Sequence, residues 1–380
     1  MQIEKISSDI NAKKLLTEIG VDGGGIKILA SKMKTHTLYI RDLHVGAANI
    51  LKQDALSIGA DLAVPKGTVT ATTSHVNCIL IATSKQLQIL SKKELAQPFG
   101  LKEVAKKLSQ ILKVREPSHV DIMGVLNANE DSFFEASRFN EKNAIIKIEN
   151  MIEDGASIID IGGVSSRPNA PIVSPKEELK RVAPILKLIY DRKLYEKTCF
   201  SIDSCTPNVI AKALESGFSM VNDITGLKND TVCSLCATYN THVVIMHMKG
   251  TPQTMQDNPQ YSHVLSEVYS FLEQRIQKAE SFGISDIVVD VGVGFGKSLQ
   301  DNLSLIKNLE HFSTLKRKIL VGASRKSMIN LITPSSTEER LAGTLTLHLE
   351  ALRNGASILR VHDVKEHAQA VAVYKALKNK

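Results

Sequence analysis

Short apolar runs alternate with longer segments of helical period across residues 119–363. Four of the runs share one local pattern: EDGASIIDIG (153–162), ESGFSMVNDI (215–224), ESFGISDIVVDVG (280–292) and RNGASILRVHD (353–363). In each, a helical stretch passes through a glycine into a β-branched run that ends in polar residues. A glycine just past a helix adopts the left-handed conformation that terminates it. A run that stays apolar on both faces reads as a buried parallel strand. In three of the four, the residue five after the glycine is polar: Asp160, Asn222 and Arg360. In the third segment the strand runs two residues further, to Asp290.

Segments of the same texture bring the strand candidates to eight: 119–127, 157–163, 199–204, 219–224, 242–248, 286–292, 318–325 and 357–363. Helical patterns separate them, as at 143–154, 175–189 and 338–354. Alternating β and α units in this number predict an α/β fold, a (β/α)8 TIM barrel. An open doubly wound sheet is the alternative. The barrel is favoured because polar residues recur at the C-terminal ends of all eight strands, the face on which such barrels carry their sites.

Residues 1–112 read as a separate small N-terminal α/β domain, joined through KVREPS (113–118) to a barrel domain at 119–380. HTLYIRDL and NCILIATS have the texture of strands, and FGLKEVAKKLSQIL that of an amphipathic helix. DGGGIK (22–27) is expected to be a turn. No chemical motif stands in this region.

Composition narrows the setting. Apolar residues make up 43% and charged residues 23%, ordinary for a soluble globular protein. No apolar run approaches the roughly 18 residues of a membrane span, and the N-terminus lacks the apolar core of a secretory signal. Five scattered cysteines do not suggest a disulfide framework, so a reducing, cytoplasmic setting is expected. The net charge of +7 invites a nucleic-acid hypothesis. Its distribution argues otherwise: residues 1–115 carry 17 Lys and Arg against 9 Asp and Glu, and the rest of the chain balances at 30 against 31. Aromatic stacking platforms are few, at 4% with no Trp. Neither a nucleic-acid nor a membrane partner is expected.

The chemistry gathers at the strand ends: Asn127, Asp160, Asp203, Asn222, His247, Asp290, Lys326, Arg360 and His362. Asp203, Asn222 and Asp290 offer acceptors and donors suited to a flat, nitrogen-rich heterocycle. Arg167, Arg360 and His362 suit an anion. DVGVGFGKS (290–298) has the texture of a phosphate loop, but counting back five from Gly296 lands on Val291, so the Walker A register fails. Lys297 is left without a role, and the glycines read as a tight turn beside a flat ring, with Phe295 available to pack near it. CSLC (233–236) lacks a second pair of ligands for zinc. His242 reads as structural, Met246 and Met248 as core, and Cys205 as a buried thiol.

The stretches MGVLNANEDSF, GGVSSRPNA, SIDS, NDITGL, VIMHMKGTPQTMQ, DVGVGFGK, GASRKS and RVHDV, in this order, resemble dihydropteroate synthase over residues 119–378. The first loop departs from that pattern at Asn129 and Glu130, and Glu135 stands where the family has Asp. In the second loop, Val164 replaces Glu and Ser166 replaces Thr.

The resemblance implies a transferase of folate biosynthesis, joining 6-hydroxymethyl-7,8-dihydropterin diphosphate to para-aminobenzoate with Mg2+ and releasing pyrophosphate. It implies pterin binding by Asp203, Asn222, Asp290, Phe295, Lys326 and Arg360, with Asp203, Asp290 and Lys326 catalytic. Para-aminobenzoate would meet Phe133, Ser166, Arg167 and Pro168, where sulfonamides would compete. Asn127, Arg167, Arg360 and His362 would hold the diphosphate, and Asn127 the metal. A homodimer is the expected assembly. A pterin-binding methyltransferase and a non-catalytic pterin-binding protein are the rivals.

Overall fold

The computed structural model describes residues 1–7, 10–114, 117–128, 138–167 and 170–378, the side chains of 138–142 excepted. Contacts divide the chain into two compact units, Met1–Arg115 with Lys375–Lys380, and Glu116–Tyr374.

The smaller unit holds three antiparallel strands, β1 (Thr35–His44), β2 (Asp61–Ala63) and β3 (His75–Thr83), in the order β1-β3-β2. On β3, Val76, Cys78, Leu80 and Ala82 are buried while the residues between them face outward, the period of a sheet covered on one side. The buried row packs with Leu51, Leu87, Leu90 and Leu101 from the helices Val45–Leu56, Ser84–Lys93 and Leu101–Ile111. Each such side chain contributes about 2 kcal/mol on burial. The glycines at 23–25, expected in a turn, instead begin a helix, Gly23–Met33. Asp22 caps it by accepting a hydrogen bond from the Gly24 N–H at 2.9 Å. The residues that follow the glycines favour helix, which offsets their cost in the first turn.

In the larger unit eight parallel strands close into a barrel in chain order: β4 (Asp121–Asn127), β5 (Ile158–Gly162), β6 (Cys199–Asp203), β7 (Met220–Asp223), β8 (His242–Met246), β9 (Ile287–Asp290), β10 (Lys318–Val321) and β11 (Ile358–Val361). β11 pairs back onto β4. The (β/α)8 barrel read from the sequence is the observed architecture. β10 stops at Val321, short of the expected Arg325, because the chain then turns, with Arg325 at φ 55°.

Strand periodicity decides what faces where. Ile159, Ile161, Phe200, Ile202, Val221, Val289 and Leu359 belong to the outer core shared with the helices. The alternate positions Met123, Ile158, Met220, Val244, Val288, Leu320 and Ile358 form a separate apolar cluster inside the barrel. That inner cluster is a floor. One inward step further along each strand lies the mouth.

Candidate active site

Two residues above the apolar floor, the inward positions turn polar. Asp160 follows Ile158, Asn222 follows Met220, Asp290 follows Val288 and Arg360 follows Ile358. Strand pairing sets Asp203 beside Asn222, and Asp160, paired with Ser201 lower on β6, is brought to Asn222 by a side-chain hydrogen bond. Asp160 is fully buried, and Asn222 and Asp290 nearly so. Desolvated groups in this number must satisfy one another or a ligand.

Arg360 ties the network together. Its Nε donates to Asp160 Oδ2 at 2.7 Å and its Nη2 to Asp203 Oδ2 at 2.6 Å. Asn222 Nδ2 donates to the same Asp160 oxygen at 3.0 Å. The other Asp160 oxygen, Oδ1, is buried without a partner among the described residues. Burial pushes the Asp203 carboxyl up to about 7; Arg360 pulls it down and Asp160 pushes it further up. The Arg360 guanidinium stays charged, its pKa raised by the same carboxylates against the cost of burial.

Asp290 closes the other side. Its Oδ1 accepts from the Gly292 N–H at 2.7 Å, and burial raises its pKa against the pull of that bond and of Lys326. Lys326 follows the β10 turn, donates to the Val293 carbonyl and lies over the Phe295 ring, 4.2 Å from its centroid. Burial lowers its pKa to about 8, with Asp290 opposing. Asp203, Asn222, Asp290, Phe295, Lys326 and Arg360 thus stand at one mouth.

Arg360 aside, the residues expected to hold an anion lie at or beyond the strand ends. Asn127 ends β4. His362 shares a hydrogen bond between Nδ1 and Ser324 Oγ at 2.9 Å. Burial, then Arg360, pushes its pKa down to about 4, with Arg167 adding to the effect. At neutral pH His362 therefore offers an anion a hydrogen bond rather than a positive charge. Arg167 is exposed on the second loop. Phe133 and Pro168 lie outside the described residues, as do Asn129, Glu130 and Glu135. Among the described residues no cluster of three acidic, histidine or cysteine side chains is arranged to hold a metal.

A cavity of about 540 Å³ opens beside Asp203 on the β5–β8 side, lined by Val164, Ser166, Met248, Lys228 and Arg275 among others. Two expectations change here. Cys205, expected buried, is exposed and lines the cavity, with its thiol pushed by burial of the sulfur to about 11, well away from a thiolate nucleophile. Met248, expected in the core, lines the same space, whereas Met246 is buried.

Sequence reasoning gave no role to three residues that the structure draws in. Asp160 anchors Arg360. Ser324 both bonds the His362 ring and accepts from the His362 N–H at 3.2 Å. Lys297 is buried beneath the glycine loop. A polar residue inside an otherwise apolar strand was the available signal for Asp160, and nothing local marks the other two.

Comparison with known proteins bears on this geometry. The family model described as pterin binding enzyme matches residues 123–362. A bifunctional dihydropteroate synthase/dihydropteroate reductase of Helicobacter pylori is 40% identical over 377 residues, covering 99% of both chains. A dihydropteroate synthase of Haemophilus influenzae is 40% identical over 262 residues, covering 68% of this chain and 94% of its own. The crystal structure of the Yersinia pestis dihydropteroate synthase with a sulfonamide drug complex superimposes with a TM-score of 0.65 at 33% identity. It covers 69% of this chain and 96% of that one.

Proposed function

This chain belongs to the pterin-binding enzyme family, among its dihydropteroate synthases, and on that premise we propose how its residues carry the reaction. The carrying observation is the polar ring of Asp203, Asn222, Asp290 and Lys326 above an apolar floor, with Arg360 at its centre. The substrates are 6-hydroxymethyl-7,8-dihydropterin diphosphate and para-aminobenzoate. The bond from the pterin methylene to the diphosphate oxygen breaks, a bond from that carbon to the arylamine nitrogen forms, and the amine releases a proton.

The flat pterin presents adjacent N–H donors and ring acceptors. Asp290 and Asn222 supply the matching groups, and the unpartnered Asp160 Oδ1 adds a buried acceptor beside Asn222. Lys326, poised over Phe295, forms one wall. As the leaving group departs, positive charge grows on the methylene and the ring, and the carboxylates lie where that charge develops. No strong base is needed, because the arylamine is itself the nucleophile. Asn127, Arg167 and His362 are assigned to the diphosphate, His362 as a neutral donor. Ser166 and Arg167, with Phe133 and Pro168, are assigned to para-aminobenzoate.

Mg2+ fits a site of this kind, since it binds through few protein oxygens and completes its shell with phosphate oxygens and water. The Asn127 carboxamide offers one such oxygen at the rim. Bound there, the ion would supply charge neutralisation to the leaving diphosphate.

The test is direct. The full chain with Mg2+, para-aminobenzoate and the pterin diphosphate should yield 7,8-dihydropteroate. Intact pterin binding with no product would overturn the synthase reading and leave the non-catalytic one.

A second reading rests on the Helicobacter relative, whose similarity spans both units, whereas the Haemophilus synthase covers only 68% of this chain. We propose that the full chain also reduces its product. A hydride from a reduced nicotinamide or flavin would add to C6 and a proton to N5, giving tetrahydropteroate and the oxidised donor. Incubating the chain with 7,8-dihydropteroate and each donor, and following donor oxidation with product mass, decides it. No oxidation with any donor rejects it.

A further inference from the structure

We propose that Lys297 is a positioning residue of this site: its buried ammonium clamps the glycine loop 292–296 to the turn after β8 and so presets the surface that receives the pterin. The inference rests on the synthase reading above and adds a residue to it.

The geometry begins with the glycines. Gly292, Gly294 and Gly296 have φ of 68°, 82° and 63°, the left-handed region that other residues adopt at a cost. Two of them also sit against neighbouring backbone. A side chain at Gly292 would overlap the His247 carbonyl oxygen, and one at Gly296 the Lys249 carbonyl oxygen. The loop therefore lies flat on the turn after β8. A face made of bare carbonyls needs donors between its layers, and Lys297 supplies them.

Its Nζ reaches the Gly292 carbonyl at 2.9 Å, the Phe295 carbonyl at 3.0 Å, His247 Nδ1 at 3.0 Å and the His247 carbonyl at 3.3 Å. Three N–H groups serve the three nearest acceptors, and the fourth is shared. Because Nδ1 of His247 accepts, that ring is neutral with its proton on Nε2. Burial, then Lys297, pushes the His247 pKa down to about 3, in keeping with this tautomer. The ring is also wedged edge-on against Phe271, with centroids 4.9 Å apart. The clamp thus fixes three groups at once: the Gly292 amide that bonds Asp290, the Phe295 ring beneath Lys326, and the turn that follows β8.

The charged form makes the stronger clamp. A neutral amine has two N–H groups and a lone pair, so either one of the three close acceptors faces that lone pair or His247 must move its proton to Nδ1, and the charge-assisted bonds to the carbonyls are lost in both cases. Burial lowers the Lys297 pKa to about 7, with Asp290 and Asp301 holding it up and Lys326 pressing it down. The other titratable groups around the loop are His247 and Lys249 on the β8 turn and Tyr261, whose hydroxyl donates to the Gly296 carbonyl at 2.7 Å. Of these, Lys297 alone bonds both sides of the loop–turn contact through its proton count.

The experiment compares Lys297→Met and Lys297→Arg with the unaltered chain. Calorimetry with 6-hydroxymethylpterin alone reads the clamp, and steady-state kinetics with both substrates read the reaction. Lys297→Met is expected to weaken pterin binding and raise KM for the pterin diphosphate about 10-fold, the loss of one or two hydrogen bonds. KM for para-aminobenzoate should stay within about two-fold, since among the described residues the hydrogen bonds of Lys297 go to Gly292, Phe295 and His247 and not to the second loop. Pterin affinity of the unaltered chain should decline as pH rises through 7; the decline should be shallower in Lys297→Met, where only Asp203 and Lys326 still titrate in this range, and the part due to residue 297 should move to higher pH in Lys297→Arg. A folded Lys297→Met with unchanged pterin affinity, or one that only melts earlier, overturns the proposal. Should that variant not fold, His247→Leu removes one acceptor and keeps the lysine; unaltered pterin binding there also overturns it. An unaltered chain that binds pterin but makes no product fails the synthase reading and leaves the clamp measurable.

Discussion

Arg360 on β11 reaches Asp203 on β6, its Nη2 donating to Oδ2 at 2.6 Å while its Nε holds Asp160 at 2.7 Å. The pair spans three strand interfaces of the barrel and joins residues far apart in the chain. A buried ion pair is poor evidence of added stability, since desolvation cancels much of the attraction. Breaking one is a different matter. Arg360→Met would leave Asp160 and Asp203 buried without a counter-charge. The expected loss is on the order of 3–5 kcal/mol of barrel stability, together with loss of pterin binding. Chemical unfolding and calorimetry check both, and a loss under about 1 kcal/mol would show that water replaces the guanidinium.

Lys326 makes a separate case. It lies over Phe295 and donates to the Val293 carbonyl, so it joins the β10 turn to the glycine loop on the mouth side. Lys326→Ala removes both the wall assigned to the pterin and the positive charge beside Asp290. KM for the pterin diphosphate should rise and kcat fall, each by about 10-fold or more. Kinetics with saturating para-aminobenzoate read this, and unchanged values would remove Lys326 from the site.

What could be read from the chain follows from which interactions are local. The strands declared themselves because a buried parallel strand is apolar on both faces, and Gly155, Gly217, Gly283 and Gly355 ended the helices before them, all at positive φ. Asp203, Asn222 and Asp290 were legible because each is a polar residue at the end of such a run. Partners were not legible. That Arg360 answers two carboxylates depends on closure of the barrel, which no local pattern encodes. A lysine in a glycine loop reads as solvated, yet Lys297 is only 3% exposed, because the ring and carbonyl of His247, fifty residues earlier in the chain, close over it from the turn after β8. Cys205 misled for the opposite reason: it follows a buried strand closely but sits past its end, where the chain opens into the cavity.

Outside the barrel wall, His348 and His367 form a relay whose proton positions are fixed by its ends. The Ala323 N–H donates to His348 Nε2 at 3.0 Å, so His348 Nδ1 carries the proton toward His367 Nε2 at 2.8 Å, and His367 Nδ1–H donates to the Asp363 carbonyl at 2.6 Å. The relay ties the turn after β10 to the turn after β11. A second proton on either ring would oppose an N–H already in place. Burial holds both pKa values below 6.5. The unfolded chain therefore binds more protons below about pH 6.5, and stability present above that pH is lost as pH falls. His247 and His362, pushed down to about 3 and 4, act in the same direction. Unfolding curves between pH 7.5 and 5 should show this decline. His367→Leu should lower stability at pH 7.5 by about 1–3 kcal/mol, through the orphaned His348 N–H, while making the acid decline shallower. An unchanged slope would place the acid sensitivity elsewhere.

The smaller unit is expected to respond to pH with the opposite sign. Glu94 is fully buried, and among the described residues its carboxylate oxygens meet no N–H or hydroxyl donor; their one hydrogen bond is a proton shared with the Asp54 carboxylate. Burial, then the neighbouring Asp54 carboxylate, raises its pKa to about 7, while Lys93 pulls it down. Lys93 is itself engaged with Asp54 at 2.8 Å, which leaves Glu94 best accommodated as the neutral acid. Between the unfolded value near 4.5 and the folded value near 7, the folded chain holds the extra proton. Its contribution is complete below 4.5 and is lost as pH rises through 7, a difference on the order of 3 kcal/mol for this unit. Cys78, buried in the same core, gives a local probe within the full chain. Its modification rate, corrected for the reactivity of an unfolded thiol at each pH and read by mass spectrometry, should climb from pH 5 to pH 8. Glu94→Gln fixes the neutral form, so the variant should match the unaltered chain at pH 5 and be protected relative to it at pH 8. Equal protection of the two chains at pH 8 would mean that Glu94 gains a donor or reaches water when it ionises.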